Sequence, residues 1–357
     1  MCGITAAQST HTRAFSAALY IKRGICMKIS VLGCGRWGSF IAWYQCAVKG
    51  NQVISWGPEG EPSYEVLKNN GRNEYVELDK RITLTCDLEY ALKNSDIIII
   101  SISSQGLRGF MQRIIKYPVQ DKIFVLCMKG IEESTGKRLS QVLTESGISP
   151  EKIAVWVGPG HIQAFVQGIP NCMVIDSENE QLKRFLADNF KSNLIRFYYG
   201  NDLIGTEIGA AAKNVLGIAA GVLDGSGYVS LKGPLMARGA YEVGTLIQAM
   251  GGRFMSAYGL AHLGDYETTL FSPYSHNRRY GEMMAQGKKF EKLAEGVMTA
   301  KAMKKLGEEH GVELPITEAV YEACFLSHAF ESGDGAKECM NIILKLFDRA
   351  TRSEFEF

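Results

Sequence analysis

The sequence lacks an excess of charge of either sign, and it lacks a long hydrophobic run. Its 357 residues include 39 Lys and Arg against 38 Asp and Glu, a net charge of +1. This balance gives no reason to expect nucleic acid or an anionic membrane as a partner. No apolar run approaches the roughly 20 residues needed to cross a bilayer. We therefore expect a soluble protein without membrane insertion, whose anionic ligands are small and bound locally.

Paired cysteines and metal-binding motifs are also missing. The nine cysteines are scattered, with no Cys-x-x-Cys motif and no neighbouring pair of histidines. This pattern argues against a zinc site and against a disulfide framework. We expect no metal, and a reducing, cytoplasmic compartment.

The first 26 residues contain no acidic residue but include Arg13, Lys22 and Arg23. Such a composition is compatible with a transit peptide. No cleavage signal or sustained amphipathic pattern stands out, so we favour a simple extension ahead of the fold, with Met27 as an alternative start.

From Lys28 onward, short aliphatic runs alternate with helix-like segments, which predicts βα units and a mostly parallel sheet. The run Ile97 to Ile100 shows no polar alternation, as expected for a central strand covered on both faces. Beyond about residue 205 the runs stop, and segments rich in Ala, Leu and Met indicate helices. The fold class is therefore α/β: an extension (1–26), a Rossmann-like, doubly wound dinucleotide-binding domain (27–204) and an all-helical substrate and catalytic domain (205–357). The six predicted strand segments are Ile29 to Leu32, Gln52 to Trp56, Ile97 to Ile100, Ile123 to Leu126, Ile153 to Val157 and Met173 to Ile175.

A glycine-rich motif, Gly33-Cys-Gly-Arg-Trp-Gly38, follows the first strand and opens a helix. In a dinucleotide site, Gly33 makes the tight turn, Gly35 lets backbone approach a pyrophosphate, and Gly38 lets helix pack on strand. The alternative is a glycine-rich turn without a ligand. The next strand ends in Ser55-Trp-Gly-Pro-Glu59, with no clear acid for ribose hydroxyls and no clear arginine for a 2′-phosphate, so NAD and NADP both stay open.

Lys213 lies in an otherwise uncharged run of small and aliphatic residues from Ile208 to Gly221. Burial disfavours the ammonium form, and a lysine with a lowered pKa can exchange protons near neutrality. The alternative is a lysine that extends from a packed helix to solvent.

Other candidate residues follow predicted strands or turns. They are Cys127-Met-Lys-Gly130, Gly158-Pro-Gly160, Gly264-Asp265 and Ser275-His-Asn-Arg-Arg279. Ligands of a doubly wound sheet gather at the carboxyl ends of its strands, so Lys129 and the Gly158 loop should face one crevice, with the two lysines depressing each other's pKa. Each residue also has a non-catalytic interpretation when it is considered alone. Lys129 could be a solvated lysine of a loop, Asp265 could cap or pair within a turn, and the Asn277 cluster could be an exposed helix start.

With these residues the chain resembles the NAD(P)-dependent glycerol-3-phosphate dehydrogenases, particularly the bacterial type. The resemblance runs from about Lys28 to about residue 325. Its motifs include Ser104-Gln-Gly-Leu-Arg108, Lys129-Gly130, Gly158-Pro159, Ala212-Lys-Asn-Val215, Gly259-Leu-Ala-His-Leu-Gly-Asp265, Asn277-Arg-Arg-Tyr-Gly281 and Leu314-Pro-Ile-Thr317.

The resemblance implies reversible hydride transfer between NAD(P)H and C2 of dihydroxyacetone phosphate, giving glycerol 3-phosphate for phospholipid synthesis. It implies that Lys213 is the proton donor and acceptor, that Lys129 polarises the carbonyl, and that Asp265 orients Lys213 and a substrate hydroxyl. The substrate residues it implies are Lys129, Gly158, Gly160, Lys213, Asn214, Asp265, Ser275, His276 and Asn277. The cofactor residues are Gly33, Gly35, Arg36, Trp37, Gly38, Lys129, Ile162, His276 and Glu295.

Three positions depart from the family pattern: His276 replaces an arginine, Gly160 a serine or threonine, and Pro58 a basic residue. They leave open a divergent relative that reduces another phosphorylated or acidic ketose. A non-catalytic dinucleotide-binding sensor is a further alternative, although it would not need the two lysines. Apolar residues of the helical half favour a homodimer.

Overall fold

A computed structural model describes residues 26–327, 335–351 and 353–354. The expectation for residues 1–25 lies outside the described residues. A single sheet of eight strands dominates the first half of the described chain. Its strands are β1 (Lys28–Leu32), β2 (Gln52–Trp56), β3 (Thr83–Thr85), β4 (Ile97–Ile100), β5 (Ile123–Leu126), β6 (Ile153–Val157), β7 (Asn171–Asp176) and β8 (Ile195–Tyr199).

The strand order is β3-β2-β1-β4-β5-β6-β7-β8, and every neighbouring pair is parallel except the antiparallel β6–β7 pair. The predicted α/β class and mostly parallel sheet are confirmed. All six predicted strands are present, whereas β3 and β8 were not predicted. The four isoleucines of β4 are fully buried at the centre of the sheet.

Helices cover both faces of the sheet. Side chains of α1, α6 and α7 share one apolar core with alternate residues of the strands, and those of α3, α4 and α5 share another with the opposite set. This alternation follows from the two-residue period of a strand. The helices of this half are α1 (Arg36–Trp43), α2 (Pro62–Asn70), α3 (Leu88–Lys93), α4 (Leu107–Ile114), α5 (Leu139–Glu145), α6 (Ile162–Val166) and α7 (Glu180–Phe190).

Beyond Tyr199 the regular elements of the described chain are helical. They are α8 (Leu203–Gly225), α9 (Lys232–Ala249), α10 (His276–Ala285), α11 (Glu295–His310), α12 (Pro315–Phe325) and α13 (Gly335–Leu344). Every residue from Gly205 to Leu223 in α8 is buried, as expected for a helix that is apolar on all sides. The predicted boundary at residues 204 and 205 falls in the first turn of α8, and the division into domains stays a prediction.

Two glycines bring α8 and α10 into close contact. A Cβ at Gly221 would lie 1.9 Å from the carbonyl oxygen of Arg278, and one at Gly281 would lie 2.0 Å from that of Ile218. This approach places the start of α10 beside Lys213. Among the described residues, no helix combines the length and the apolar character needed to cross a bilayer.

Candidate active site

A cleft of about 830 Å³ lies where the carboxyl ends of the sheet strands meet the helical half. This volume is in the usual range for small-molecule sites. Residues from both halves line it, and twelve predicted site residues are among them: Gly33, Gly35, Arg36, Trp37, Lys129, Gly160, Lys213, Asn214, Ser275, His276, Asn277 and Glu295.

A buried carboxylate joins the two lysines of the cleft. Oδ2 of Asp265 lies 2.7 Å from Nζ of Lys213 and 2.8 Å from Nζ of Lys129. The side chains are 6%, 14% and 1% exposed for Lys213, Lys129 and Asp265. Burial opposes ionisation of Asp265, but the two lysines outweigh it and lower the pKa of this carboxyl below its usual value. The carboxylate therefore holds both amines in fixed positions.

Burial lowers the pKa of Lys213 to about 7, with Asp265 opposing this shift and Lys129 adding to it. Nζ of Lys213 also donates to Oγ1 of Thr269 at 2.7 Å. With Asp265 and Thr269 as partners, an ammonium keeps one N–H for a ligand, and a neutral amine keeps its lone pair. Lys213 is thus suited to give and take a proton near neutrality.

Lys129 follows β5 and is held from three sides. Its Nζ donates to the carbonyl oxygen of Gly158 at 2.9 Å and to Asp265, and it lies 5.5 Å from the ring centroid of Trp37. A cation over an indole face is stabilised by the ring quadrupole. The strand ends of β5 and β6 and the glycine-rich loop therefore fix this charge together.

The glycine-rich loop has the geometry of a dinucleotide cradle. Gly33 has φ +120°, and a Cβ there would lie 2.2 Å from the carbonyl oxygen of Ser101, whereas a Cβ at Gly38 would lie 1.9 Å from that of Gly33. A Cβ at Gly35 would meet no atom within 4 Å, so only here would a side chain enter open space. Gly35 is the N-cap residue of α1, whose first turn holds no acid, so these residues fit a cofactor pyrophosphate.

Several of the remaining predicted residues have structural partners. Nδ2 of Asn214 donates to the carbonyl oxygen of Lys129 at 3.0 Å, and Oδ1 of Asn277 accepts from the backbone N–H of Gly296 at 2.9 Å. Oε1 of Glu295 accepts from the backbone N–H of Ser104 at 3.3 Å, and burial raises its pKa. The Asn214 and Glu295 bonds join the helical half to segments that follow β5 and β4, whereas the Asn277 bond joins the starts of α10 and α11.

Four predicted residues do not line the cleft. Gly38 packs against the turn at Gly33, Ile162 is fully buried in the core, Gly158 contributes its carbonyl oxygen to Lys129, and Asp265 lies behind the two lysines.

Sequence reasoning missed Thr268, Thr269 and His161. Thr268 donates through Oγ1 to Oδ1 of Asp265, and Thr269 accepts from Lys213. The two threonines follow Asp265 closely in the chain, and that spacing was the available signal. His161 lines the cleft with Nδ1 buried and without a hydrogen-bond partner among the described residues, and burial lowers its pKa.

Comparison with known proteins assigns the chain to a family. Residues 28–183 match the model of the NAD-dependent glycerol-3-phosphate dehydrogenase N-terminus, and residues 202–332 match that of its C-terminus. The chain belongs to this glycerol-3-phosphate dehydrogenase family. The suspected resemblance is confirmed.

Individual members of the glycerol-3-phosphate dehydrogenase family are similar over most of the chain. The Macrococcus caseolyticus enzyme named glycerol-3-phosphate dehydrogenase (NAD(P)+) is 32% identical over 88% of this chain and 98% of its own length. That of Chlorobium phaeobacteroides is 35% identical over 84% of this chain and 93% of its own. The crystal structure of the Coxiella burnetii glycerol-3-phosphate dehydrogenase superposes with a TM-score of 0.80 at 25% identity, covering 91% of this chain and 99% of that one.

The departures from the glycerol-3-phosphate dehydrogenase pattern have physical correlates. A Cβ at Gly160 would lie 2.4 Å from the ring of Phe165, which stacks on Phe40 at 5.1 Å. Phe165 thus fills the space of a side chain at residue 160. Pro58 lines the cleft beside Glu61, whose Oε2 accepts from the backbone N–H of Tyr64 at 3.0 Å.

Proposed function

We propose that this chain transfers a hydride between NAD(P)H and dihydroxyacetone phosphate to give sn-glycerol 3-phosphate, reversibly, for glycerophospholipid synthesis. The single observation that carries the proposal is the buried Lys213–Asp265–Lys129 arrangement at the cleft. Family membership supports the same reaction.

A nicotinamide cofactor held in the cleft would supply the hydride for reduction and accept it for oxidation. Reduction places negative charge on the C2 oxygen of the substrate, and Lys129 and Lys213 supply positive charge next to it. Lys213 then donates a proton to that oxygen, because its pKa of about 7 makes the ammonium a usable acid at neutral pH. In the reverse direction, neutral Lys213 accepts the hydroxyl proton. Asp265 and Thr269 keep Nζ of Lys213 in place in both directions.

The residues that would hold the cofactor are Gly33, Gly35, Arg36, Trp37 and Glu295. Preference between NAD and NADP stays open, because the end of the cleft near β2 presents both signs of charge. Glu61 lines it, and so does Arg113, whose guanidinium carbon lies 5.7 Å from the ring centroids of Trp56 and Phe110.

A different phosphorylated or acidic ketose is the second candidate substrate, and His276 is the observation that favours it. Its Nδ1 lies 3.2 Å from the carbonyl oxygen of Leu293, and burial lowers its pKa. A histidine cannot form the bidentate pair with phosphate that an arginine forms.

Oxidation of NADH and NADPH in the presence of dihydroxyacetone phosphate, beside a panel of other ketose phosphates, tests both candidates. The proposal expects the highest kcat/KM with dihydroxyacetone phosphate. A higher value with another ketose would favour the second candidate, and no oxidation with any ketose would exclude both.

We also propose a cytoplasmic homodimer that binds no nucleic acid. Large apolar side chains are exposed on the described helical half, including Val229 at 56%, Met255 at 69% and Leu326 at 61%, and such surface favours self-association. Sedimentation equilibrium tests the assembly: a mass twice that of the chain is expected, and a monomer at micromolar concentration would contradict it.

A further inference from the structure

Arg36 carries a guanidinium that forms no ion pair with a carboxylate of the described residues, although the negative charge of Glu74 acts on it. It is the first residue of α1 and lines the cleft. Its Nη1 donates to the carbonyl oxygen of Tyr274 at 3.3 Å, and its Cζ lies 5.7 Å from the ring centroid of Tyr75. Its Nε is buried without a hydrogen-bond partner among the described residues. Protein atoms cover this nitrogen, so a ligand oxygen would instead meet Nη2, which also has no hydrogen-bond partner among the described residues.

The position of Arg36 bridges the two halves of the molecule. Tyr274, which it contacts, directly precedes Ser275, and Ser275 caps α10 by accepting from the backbone N–H of Arg278 at 3.3 Å. The first turns of α1 and α10 contain no acidic residue. Arg36 is therefore part of the N-terminus of α1, and its guanidinium contacts Tyr274, which precedes the N-cap of α10. The N-termini of both helices favour anions.

His276 is a poor anion ligand in the same region. Its Nδ1 faces the carbonyl oxygen of Leu293, which assigns the ring proton to Nδ1 in the neutral form. Nε2 of a neutral ring is then an acceptor, and it repels a phosphate oxygen rather than binding it. Burial and the positive charge of Arg36 both keep the ring in this neutral form, because both lower its pKa.

We infer that the Arg36 side chain is a phosphate ligand of this cleft and supplies the guanidinium that residue 276 lacks. The inference rests on the proposed function, since both ligands of that reaction carry phosphate. Two sources share this chemistry: the phosphate monoester of the substrate and the diphosphate of the cofactor. Arginine suits either one, because its planar fork matches phosphate oxygens.

Equilibrium binding separates the two sources without turnover. Isothermal titration calorimetry gives Kd for NADH with the free protein, and Kd for sn-glycerol 3-phosphate with the protein saturated by NADH, a combination that cannot react. Arg36→Gln is expected to raise at least one of these values about tenfold or more, the usual size for a lost charged hydrogen bond. A rise for NADH alone identifies the diphosphate, and a rise for sn-glycerol 3-phosphate alone identifies the monoester.

Arg279→Gln is the matched control, because Arg279 is an exposed arginine of α10 that does not line the cleft. It should change both Kd values less than about twofold, as expected for an exposed charge that solvent screens and that does not line the cleft. Arg36→Gln values within the same limits would overturn the inference.

A double-mutant cycle adds a test that does not depend on Arg36→Gln alone. If residues 36 and 276 compete for the same phosphate, His276→Arg should improve affinity more in the Arg36→Gln protein than in the wild type. Equal improvement in both backgrounds would contradict a shared phosphate. The proposed reaction is tested independently of the role of Arg36. A wild-type protein that binds both ligands but does not oxidise NADH with dihydroxyacetone phosphate would contradict the reaction and leave the Arg36 result standing.

Discussion

Lys213 is more deeply buried than its charge alone would favour. Moving an ammonium out of water is costly, and the attraction of one carboxylate shared with Lys129 does not fully offset that cost. The lowered pKa of Lys213 reflects this imbalance. A lysine that costs stability in this way suits a functional role better than a structural one.

Lys213→Met tests that role while keeping an unbranched side chain of similar length. We expect kcat to fall about a hundredfold or more, the size typical of losing a positioned acid or base. The free energy of unfolding should stay equal or rise, because a buried charge is removed. Steady-state kinetics and urea denaturation measure the two quantities.

Lys183→Met is a control for this change, because Lys183 is also buried but pairs with Glu180 on α7, away from the cleft. Its kcat should match that of the wild type. Equal kcat values for Lys213→Met and the wild type would remove Lys213 from the mechanism.

Single residues with an unusual sequence environment were predictable, and those that depend on packing were not. Lys213 stands out in an uncharged run, and Asp265 follows a glycine-bearing turn, so both were candidates from sequence. Thr269 became visible as a partner only once the helix Glu267–Phe271 brought it to Lys213. The relation of Gly160 to Phe165 depends on a contact across the start of α6 that no local pattern encodes.

At the scale of elements, hydrophobic pattern predicted the long or buried strands and missed two outer ones. β3 has only three residues and lies at the sheet edge, too short for a recognisable run. β8 lies at the other edge with several exposed residues, so its sequence, Ile-Arg-Phe-Tyr-Tyr, lacks a continuous apolar run. The antiparallel direction of β7 follows from the chain path after α6, which strand composition does not specify.

Helix α12 illustrates how one element stabilises another. Its N-cap residue, Leu314, has no capping side chain, and Glu242 of α9 serves instead. The Glu242 carboxylate accepts from the backbone N–H groups of Ile316 at 2.7 Å and Thr317 at 3.0 Å. Burial nevertheless raises the pKa of Glu242 to about 7.

Glu242→Gln should therefore change how stability depends on pH. A carboxyl with a pKa raised by folding contributes its stabilisation fully below about pH 4.5, the usual glutamate value, and loses it as pH rises through about 7. Through this group, the free energy of unfolding of the wild type should fall by about 3 kcal/mol across this range, and Glu242→Gln should remove that part of the pH dependence. Urea denaturation at several pH values measures it.

The control for this prediction is Glu309→Gln, at an exposed glutamate of α11. It should keep the pH dependence of the wild type. A Glu242→Gln protein with the same slope as the wild type would contradict the assignment of a raised pKa to Glu242.

At the scale of the whole molecule, the cleft is lined by residues from the sheet half and from the helical half. A ligand in it contacts both halves and stabilises the folded state by mass action. NADH should therefore raise the Tm, with each tenfold increase in concentration above Kd adding about 1.4 kcal/mol to the free energy of unfolding. Differential scanning fluorimetry over a concentration series measures this, and a Tm independent of NADH would argue against a cofactor site.

The most direct test of Lys213 as acid and base compares the pH dependence of the two reaction directions. Reduction of dihydroxyacetone phosphate needs the ammonium form, and oxidation of sn-glycerol 3-phosphate needs the neutral amine. The neighbouring ionisable groups that interact with Lys213 include Asp265, Lys129, Glu295, His262 and His161. With a pKa of about 7 for Lys213, kcat for reduction should fall and kcat for oxidation should rise as pH increases through neutrality. Profiles that change in the same direction, or that show no inflection between about pH 6 and about pH 8, would contradict the account.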